Sequence, residues 1–303
     1  MSSGYQKEGV VAVIPAYNEA RFIGSVVLQA RKYVDTVIVV DDGSVDATAE
    51  IASAAGALVV RHEQNRGKGK ALCTGLQIAR SLSPHAVVLL DGDGQHLPSE
   101  IPRVLAPILS GEADMVVGSR YLNRNSQVPR VRVWGHRFFN FLVNRTAGLH
   151  LTDSQNGFRA FSSRVLDALN FFSNGFSVES EMQWLARQYG WRVQEVPVTV
   201  LYADKPKRSP WVQGLMVLDG FLRFIGQRRP MLTFSLIGLL FLLTGMGWGV
   251  CVVEIYRRTQ LLAVGYALLC VMLTILGSIC ISTGFILHSV RELITGLLKN
   301  TSQ

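Results

Sequence analysis

Short β-branched runs alternate with stretches of helical period through the N-terminal part of the chain. Residues 10–14 predict a strand, and behind it Phe22, Ile23, Val26, Val27 and Ala30 recur at helical spacing. Residues 37–40 and 58–60 repeat the strand pattern, with helices through Ala47 and Ile51 and over residues 71–80, and residues 87–90 make a fourth run. Consecutive strand–helix units of this kind predict a parallel sheet with right-handed crossovers. Residues 115–118 read as a further strand, and 133–149 mix apolar and basic side chains at helical spacing. A short strand follows at Ala160-Phe161, then a helix carrying Glu179 and Glu181 on an exposed face and ending near Gly190. Residues 193–201 alternate and contain Pro197, which predicts an edge strand.

The C-terminal part has a different pattern. Residues 231–253 and 261–287 carry no charge. Each run exceeds the roughly 20 residues a helix needs to cross about 30 Å of hydrocarbon, so the pair predicts a transmembrane hairpin. Ahead of it Trp211, Leu215, Leu218, Leu222 and Ile225 form one apolar stripe ending at Arg228-Arg229-Pro230, as in a helix lying in the headgroup plane. The expected organisation is a catalytic domain over 1–208, an interfacial helix over 209–230, and a hairpin with a short tail over 231–303. The N-terminus has no signal-peptide pattern, so the first domain is expected in the cytoplasm. Arg223, Arg228, Arg229, Arg291 and Lys299 flank the spans against Arg257 and Arg258 in the connecting loop, a bias in the same direction. Gly245, Gly247 and Gly249 suit close helix packing, either within the hairpin or in a homo-oligomer.

Composition narrows the class further. The 303 residues are 49% hydrophobic, enough for a large core plus an appendage. Cys251, Cys270 and Cys280 lie in the spans and Cys73 in a helix, with no metal-ligand or disulfide spacing. The net charge of +8 fits nucleic acid, anionic lipid or a phosphorylated substrate. The basic residues are dispersed among loops and form no nucleic-acid module, which leaves lipid phosphate beside a membrane hairpin.

The candidate chemistry centres on Asp91-Gly92-Asp93-Gly94-Gln95-His96, at the end of the apolar run 87–90. In open α/β sheets ligands bind beyond the carboxyl ends of the strands. Two carboxylates one residue apart repel unless a cation joins them, and hard oxygen ligands select Mg²⁺ or Mn²⁺, which in turn holds a diphosphate. No Gly-x-Gly-x-x-Gly follows the first strand and no P-loop is present, which argues against nicotinamide, flavin and P-loop nucleotide sites. His96 reads as a hydrogen-bonding neighbour of the metal rather than a ligand.

Six motifs in order carry a family resemblance: Pro15-Ala16-Tyr17-Asn18-Glu19, Asp41-Asp42-Gly43-Ser44, Asn65-Arg66-Gly67-Lys68-Gly69, the Asp91–His96 stretch, Gly118-Ser119-Arg120-Tyr121 and Asp153-Ser154-Gln155-Asn156-Gly157-Phe158-Arg159. Over residues 10–208 the chain resembles family 2 glycosyltransferases, in particular the polyprenyl-phosphate glycosyltransferase group. The resemblance implies an α/β fold: a GT-A type, Rossmann-like nucleotide-sugar-binding domain with interfacial helices and the two-helix hairpin. It implies transfer of one hexose from a UDP- or GDP-linked donor to a dolichyl or undecaprenyl phosphate. By the same resemblance Pro15, Ala16, Tyr17, Glu19, Asp42 and Lys68 bind the nucleotide with Asp91, while Asp91, Asp93 and Gln95 hold the metal. Arg120, Arg132 and Arg137 meet the acceptor phosphate, Gln155 lies near sugar or acceptor, and Asp93, Asp153 and Arg120 are catalytic. The chain departs from the family pattern at Lys205-Pro206-Lys207-Arg208, where members often carry Gly-Ser-Lys.

A lipid monophosphate has a second ionisation near pH ~6, as phosphorylated side chains do, so it arrives as a competent nucleophile. Asp153 is then either a base or a residue that orients the acceptor or sugar or contacts the metal. The alternative reading, a membrane-anchored transferase acting on a glycan hydroxyl, requires Asp153 as a true base.

Overall fold

The structure is a computed structural model and describes residues 8–122, 140, 144, 148–169, 178–201 and 230–300, without the side chains of 230, 232, 233, 291, 292 and 294–300. Chain contacts divide it into two units, Met1–Val217 and Leu218–Gln303.

The first unit is built on a seven-stranded sheet. Its elements in chain order are β1 (Val10–Ala16), α1 (Ile23–Ala30), β2 (Thr36–Asp41), α2 (Thr48–Ala54), β3 (Leu58–Arg61), α3 (Lys68–Ser81), β4 (Ala86–Leu89), α4 (Ile101–Leu109), β5 (Met115–Ser119), β6 (Arg159–Ser162), α5 (Val178–Gln188) and β7 (Val193–Pro197). The strands lie in the order β3-β2-β1-β4-β6-β5-β7. The expected parallel core is present, with β1 pairing β2 and β4, and β2 pairing β3. β6 runs antiparallel to both β4 and β5, and β7 joins β5 in parallel as an edge strand, consistent with Pro197 at its end.

The two-residue period of a strand sorts the core into two layers. Val10, Ala12 and Ile14 of β1 pack on one face with Ile23, Val26 and Val27 of α1 and Ile101, Val104 and Leu105 of α4. Val11 and Val13 pack on the other with Leu72 and Leu76 of α3 and Met182 and Leu185 of α5. A Cβ on Gly75 would stand 2.3 Å from Val13 Cγ1, so glycine lets α3 lie directly on β1.

The second unit holds α6 (Pro230–Thr259) and α7 (Val264–Asn300). Within them Phe234–Thr259 and Val264–Val290 are long and apolar enough to cross a membrane. The helices cross closely where a Cβ on Gly238 would lie 2.6 Å from the Gly277 carbonyl oxygen. Gly245 and Gly249 face Thr274 and Cys270 across the hairpin, whereas Gly247 faces open space. Arg257 and Arg258 were expected in the connecting loop but belong to the last turn of α6, where Arg258 Nε lies 2.7 Å from Glu254 Oε1. That i,i+4 pairing extends the helix past the apolar run.

Candidate active site

Because β4, β5 and β7 run parallel to the first three strands and β6 runs against them, the carboxyl ends of six strands and the start of β6 share one edge of the sheet. Asp42, Asp91, Arg120 and Arg159 all follow or begin strands at that edge.

Asp91 is met by Lys68, the first residue of α3: its ammonium lies 2.8 Å from Asp91 Oδ1 and 2.9 Å from Glu179 Oε1 on α5. Burial opposes the charge on Asp91, but Lys68, with His96 and Arg120 behind it, holds the carboxyl below its ordinary range. Burial likewise opposes the ammonium, and Asp91 and Glu179 together raise it above the usual lysine range. Glu179 and Glu181 were expected on an exposed helix face and are instead buried. The N-terminal turns of α5 point into the sheet edge, where Lys68 supplies the charge that makes burying Glu179 tolerable. Glu179 Oε2 is buried without a hydrogen-bond partner.

Asp93 is in the opposite electrostatic state. Burial and then the neighbouring Asp91 push its carboxyl above the ordinary range. It accepts the Gln95 amide at 3.0 Å. His96 accepts the Asp91 amide on Nδ1 at 3.1 Å, so its Nε2–H donates to Asn156 Oδ1 at 3.0 Å. Both ring nitrogens are thus occupied in bracing the acidic loop. The chain leaving β7 braces it from the other side: the Leu201 amide donates to the Gln95 carbonyl at 2.9 Å, and Thr199 N–H to Glu100 Oε2 at 2.8 Å.

Among the described residues no three His, Cys, Asp or Glu side chains gather as a closed metal cage. The donors present do fit a magnesium-like ion, which is bound through one or two carboxylates and substrate phosphates, keeping several waters. Asp91 and Asp93 are hard oxygen ligands one residue apart on one loop, and burial together with the neighbouring Asp91 raises the Asp93 carboxyl. The side chain of Gln95 follows on the same loop.

Pro15 and Ala16 close β1, with Ala16 paired to Asp41, and Tyr17 beyond them is exposed. The loops after β1 and β2 are stitched together: Asn18 N–H donates to Ser44 Oγ, Glu19 N–H to Thr48 Oγ1 and Val45 N–H to Asn18 Oδ1, at 2.8, 2.8 and 3.0 Å. Asp42 is buried and accepts the amides of Arg66 and Gly67 at 2.9 and 2.7 Å, so the loop that delivers Lys68 hangs on it.

Arg120 and Asp153 form a fork: Nε to Oδ2 and Nη2 to Oδ1, both at 2.6 Å, with the Arg120 amide also on Oδ2 at 3.0 Å. Asp153 is itself fixed by Glu195 of β7, which accepts the Thr152 amide at 2.8 Å and the Asp153 amide at 3.0 Å. Gln155 donates to Ser180 Oγ at 3.1 Å. Arg159 is wholly buried and donates to the carbonyls of Ser154, Asn156 and Glu179, tying the 153–157 loop to α5. Burial pushes its guanidinium down to about 10, and Glu179, Asp153 and Glu195 act against that push. Nothing in the sequence points to Glu195 or His62, and Arg159 stands in the sixth motif without a role of its own. Arg132, Arg137, Lys205, Lys207, Arg208 and the 211–225 stripe lie outside the described residues.

The structure is similar to that of glucosyl-3-phosphoglycerate synthase from Mycobacterium tuberculosis in complex with Mn²⁺, UDP-glucose and phosphoglyceric acid, with TM-score 0.56 and 27% identity, covering 72% of this chain and 79% of that one. In sequence it is 33% identical to a UDP-N-acetylglucosamine–dolichyl-phosphate N-acetylglucosaminyltransferase of Methanococcus voltae, covering 71% of this chain and 93% of that protein. It is 30% identical to the undecaprenyl-phosphate mannosyltransferase of Micrococcus luteus, covering 69% and 91%. The sequence model described as Glycosyl transferase family 2 matches residues 11–169, from β1 through the loop of Asp153 and on past β6. With a GT-A-like sheet beneath that match and the acidic loop at its carboxyl edge, the chain is a glycosyltransferase and belongs to glycosyl transferase family 2.

Proposed function

We propose that the protein transfers a single hexose from a UDP- or GDP-linked sugar to a polyprenyl phosphate at the cytoplasmic face of a membrane. The catalytic part is residues 1–208, with 209–230 lying in the interface and the hairpin of 231–303 as anchor. The dolichyl-phosphate and undecaprenyl-phosphate enzymes named above as relatives support the acceptor class.

The observation that carries the reading is the Arg120–Asp153 fork. Both carboxylate oxygens take guanidinium hydrogens, which leaves Asp153 badly placed to remove a proton and suits an acceptor that is already ionised. Arg120, with Arg132 and Arg137, meets the acceptor phosphate, for which a planar guanidinium held at fixed orientation is well adapted. Pro15, Ala16, Tyr17, Glu19 and Asp42 hold base and ribose, and Lys68 turns its charge toward the diphosphate. Gln155 lines the sugar or acceptor side. Mg²⁺ or Mn²⁺ on Asp91 and Asp93, with Gln95 beside them, would supply Lewis-acid stabilisation of the leaving diphosphate. A single in-line displacement inverts the anomeric centre and gives a β-linked product from an α-linked donor.

The test incubates detergent-purified protein with Mn²⁺ or Mg²⁺, a polyprenyl phosphate and a panel of UDP and GDP sugars, with mass spectrometry of the lipid and anomeric coupling by NMR. A glycosylated lipid phosphate, lost in Asp91→Ala and Asp93→Ala, is expected. Transfer only to glycan hydroxyls would replace this reading with the hydroxyl-acceptor one, and an α-linked lipid product would remove the inverting step.

A further inference from the structure

Asp41-Asp42 at the end of β2 meets Arg61-His62 at the end of β3, acid against base on neighbouring parallel strands. Arg61 Nε lies 3.2 Å from Asp41 Oδ2, and His62 Nδ1–H donates to Asp42 Oδ1 at 2.7 Å. The other ring nitrogen of His62 is hydrogen-bonded to Thr74 Oγ1 on α3 at 3.0 Å. His62 and Asp42 are 8% and 3% exposed, so the pair is shielded from water and keeps its strength.

Asp42 has two kinds of partner. The amides of Arg66 and Gly67 come from the loop that leads into α3, whereas His62 stands at the end of a strand and is tied to a helix through Thr74. His62 therefore joins the carboxylate to the regular elements on either side of that loop. The loops are also in direct contact, since a Cβ on Gly43, at φ +75°, would lie 2.7 Å from the carbonyl carbon of Gln64. A turn of the Asp42 carboxylate would therefore release the approach to Lys68 and disturb the loop after β2 together.

We propose that His62 is a positioning residue for the donor: through Nδ1–H it holds Asp42, and through Asp42 it keeps the 64–67 loop and Lys68 in the geometry that receives a nucleoside diphosphate. The inference rests on the nucleotide-sugar reading above. It assigns His62 and Thr74 to donor binding although neither touches the donor.

The experiment compares His62→Asn with His62→Gln in the full-length protein in detergent. Asn carries its amide nitrogen where Nδ1 stands and keeps the bond to Asp42; Gln carries it one bond further, toward Thr74, and loses that bond. Binding of UDP and GDP with Mn²⁺ is measured by calorimetry, and KM for donor and acceptor separately from kcat. Gln is expected to weaken nucleoside-diphosphate binding and raise the donor KM by roughly tenfold, the effect of one buried charge-assisted hydrogen bond, with kcat at saturating donor and the acceptor KM unchanged. Asn is expected to stay within about twofold of the parent protein. Equal losses in the two variants, no loss in Gln, or a fall in kcat at unchanged donor KM would each overturn the assignment. A parent protein that binds neither UDP nor GDP would bring down the nucleotide-sugar reading itself, whereas a parent that binds and a pair of variants that match would remove this inference alone.

Discussion

The Lys68 ammonium stands 2.8 Å from Asp91 and occupies an oxygen of the carboxylate that begins the acidic loop. Glu179 holds the same ammonium from the other side at 2.9 Å. One ammonium therefore pairs directly with two carboxylates, while at Asp93 burial and the charge of Asp91 outweigh the influence of His96 and Lys68.

Lys68→Met leaves Asp91 and Glu179 in a partly enclosed site without their cation. Lys68 and Asp91 side chains retain 27% and 29% exposure, which places the cost at the low end for a broken buried pair, about 3 kcal/mol. Thermal or denaturant unfolding of the variant reads this directly. Added Mn²⁺ is expected to recover more stability in the variant than in the parent protein, because a divalent ion then balances all three carboxylates.

Asp153→Asn replaces one oxygen of the Arg120 fork by an amide that points hydrogens at hydrogens. The acceptor kcat/KM is expected to fall by roughly 10²-fold while the donor KM holds. The acid limb of the pH–rate profile follows the acceptor phosphate, near pH ~6, and so persists in the variant. Loss of that limb in Asp153→Asn would identify the carboxylate as a base.

A Cβ on Gly157 would lie 2.9 Å from Asp91 Oδ2 and 3.0 Å from Lys68 Nζ. Both neighbours are ends of side chains, so Gly157→Ala displaces the pair and spares the fold. Transfer is expected to drop by roughly 10- to 100-fold, as small misplacements at a reacting centre do, with the unfolding midpoint nearly unchanged.

Asp114, just before β5, accepts the amide, Nε and Nη2 of Arg192 at 3.0, 3.1 and 3.1 Å. The hydrogen bond from the Arg192 side chain holds its carboxyl below the ordinary range, against the opposing effect of burial. A carboxyl lowered on folding stabilises the folded state above its unfolded pKa and loses that contribution as pH falls through the folded one. The stability difference between the parent protein and Asp114→Asn is therefore largest near neutrality and vanishes in acid. Arg192 is half exposed, so solvent screens the pair and the trend is shallow. Denaturant titrations at several pH values check the trend.

The first four strands were legible because each is a short apolar run rich in β-branched residues, three of them ending directly in a glycine- or proline-marked turn, and their order of strand and helix leaves few topologies. The direction of β6 was not: four residues, Arg159–Ser162, carry no periodicity that distinguishes parallel from antiparallel. Within the site, Asp91 and Asp93 stood out by their spacing, whereas the hydrogen bonds of His96 to the Asp91 amide and to Asn156 come from the folded loops. Glu179 did not stand out, since acids on a helix are normally solvated and the lysine that buries this one comes from α3. Glu195 and His62 act by gripping backbone amides or another side chain across strands. Such contacts leave no trace in local sequence.

The four residues after Pro197 have a practical meaning for anyone wishing to prepare the catalytic part without its hairpin. A fragment ending at Pro197 retains every strand of the sheet, yet it discards the donor to the Gln95 carbonyl, the bridge between His96 and Val200, and Thr199, which donates to Glu100. The truncation would thus look well folded by circular dichroism while the loop of Asp91 and Asp93 had lost its outer wall. A working fragment has to run at least through Leu201.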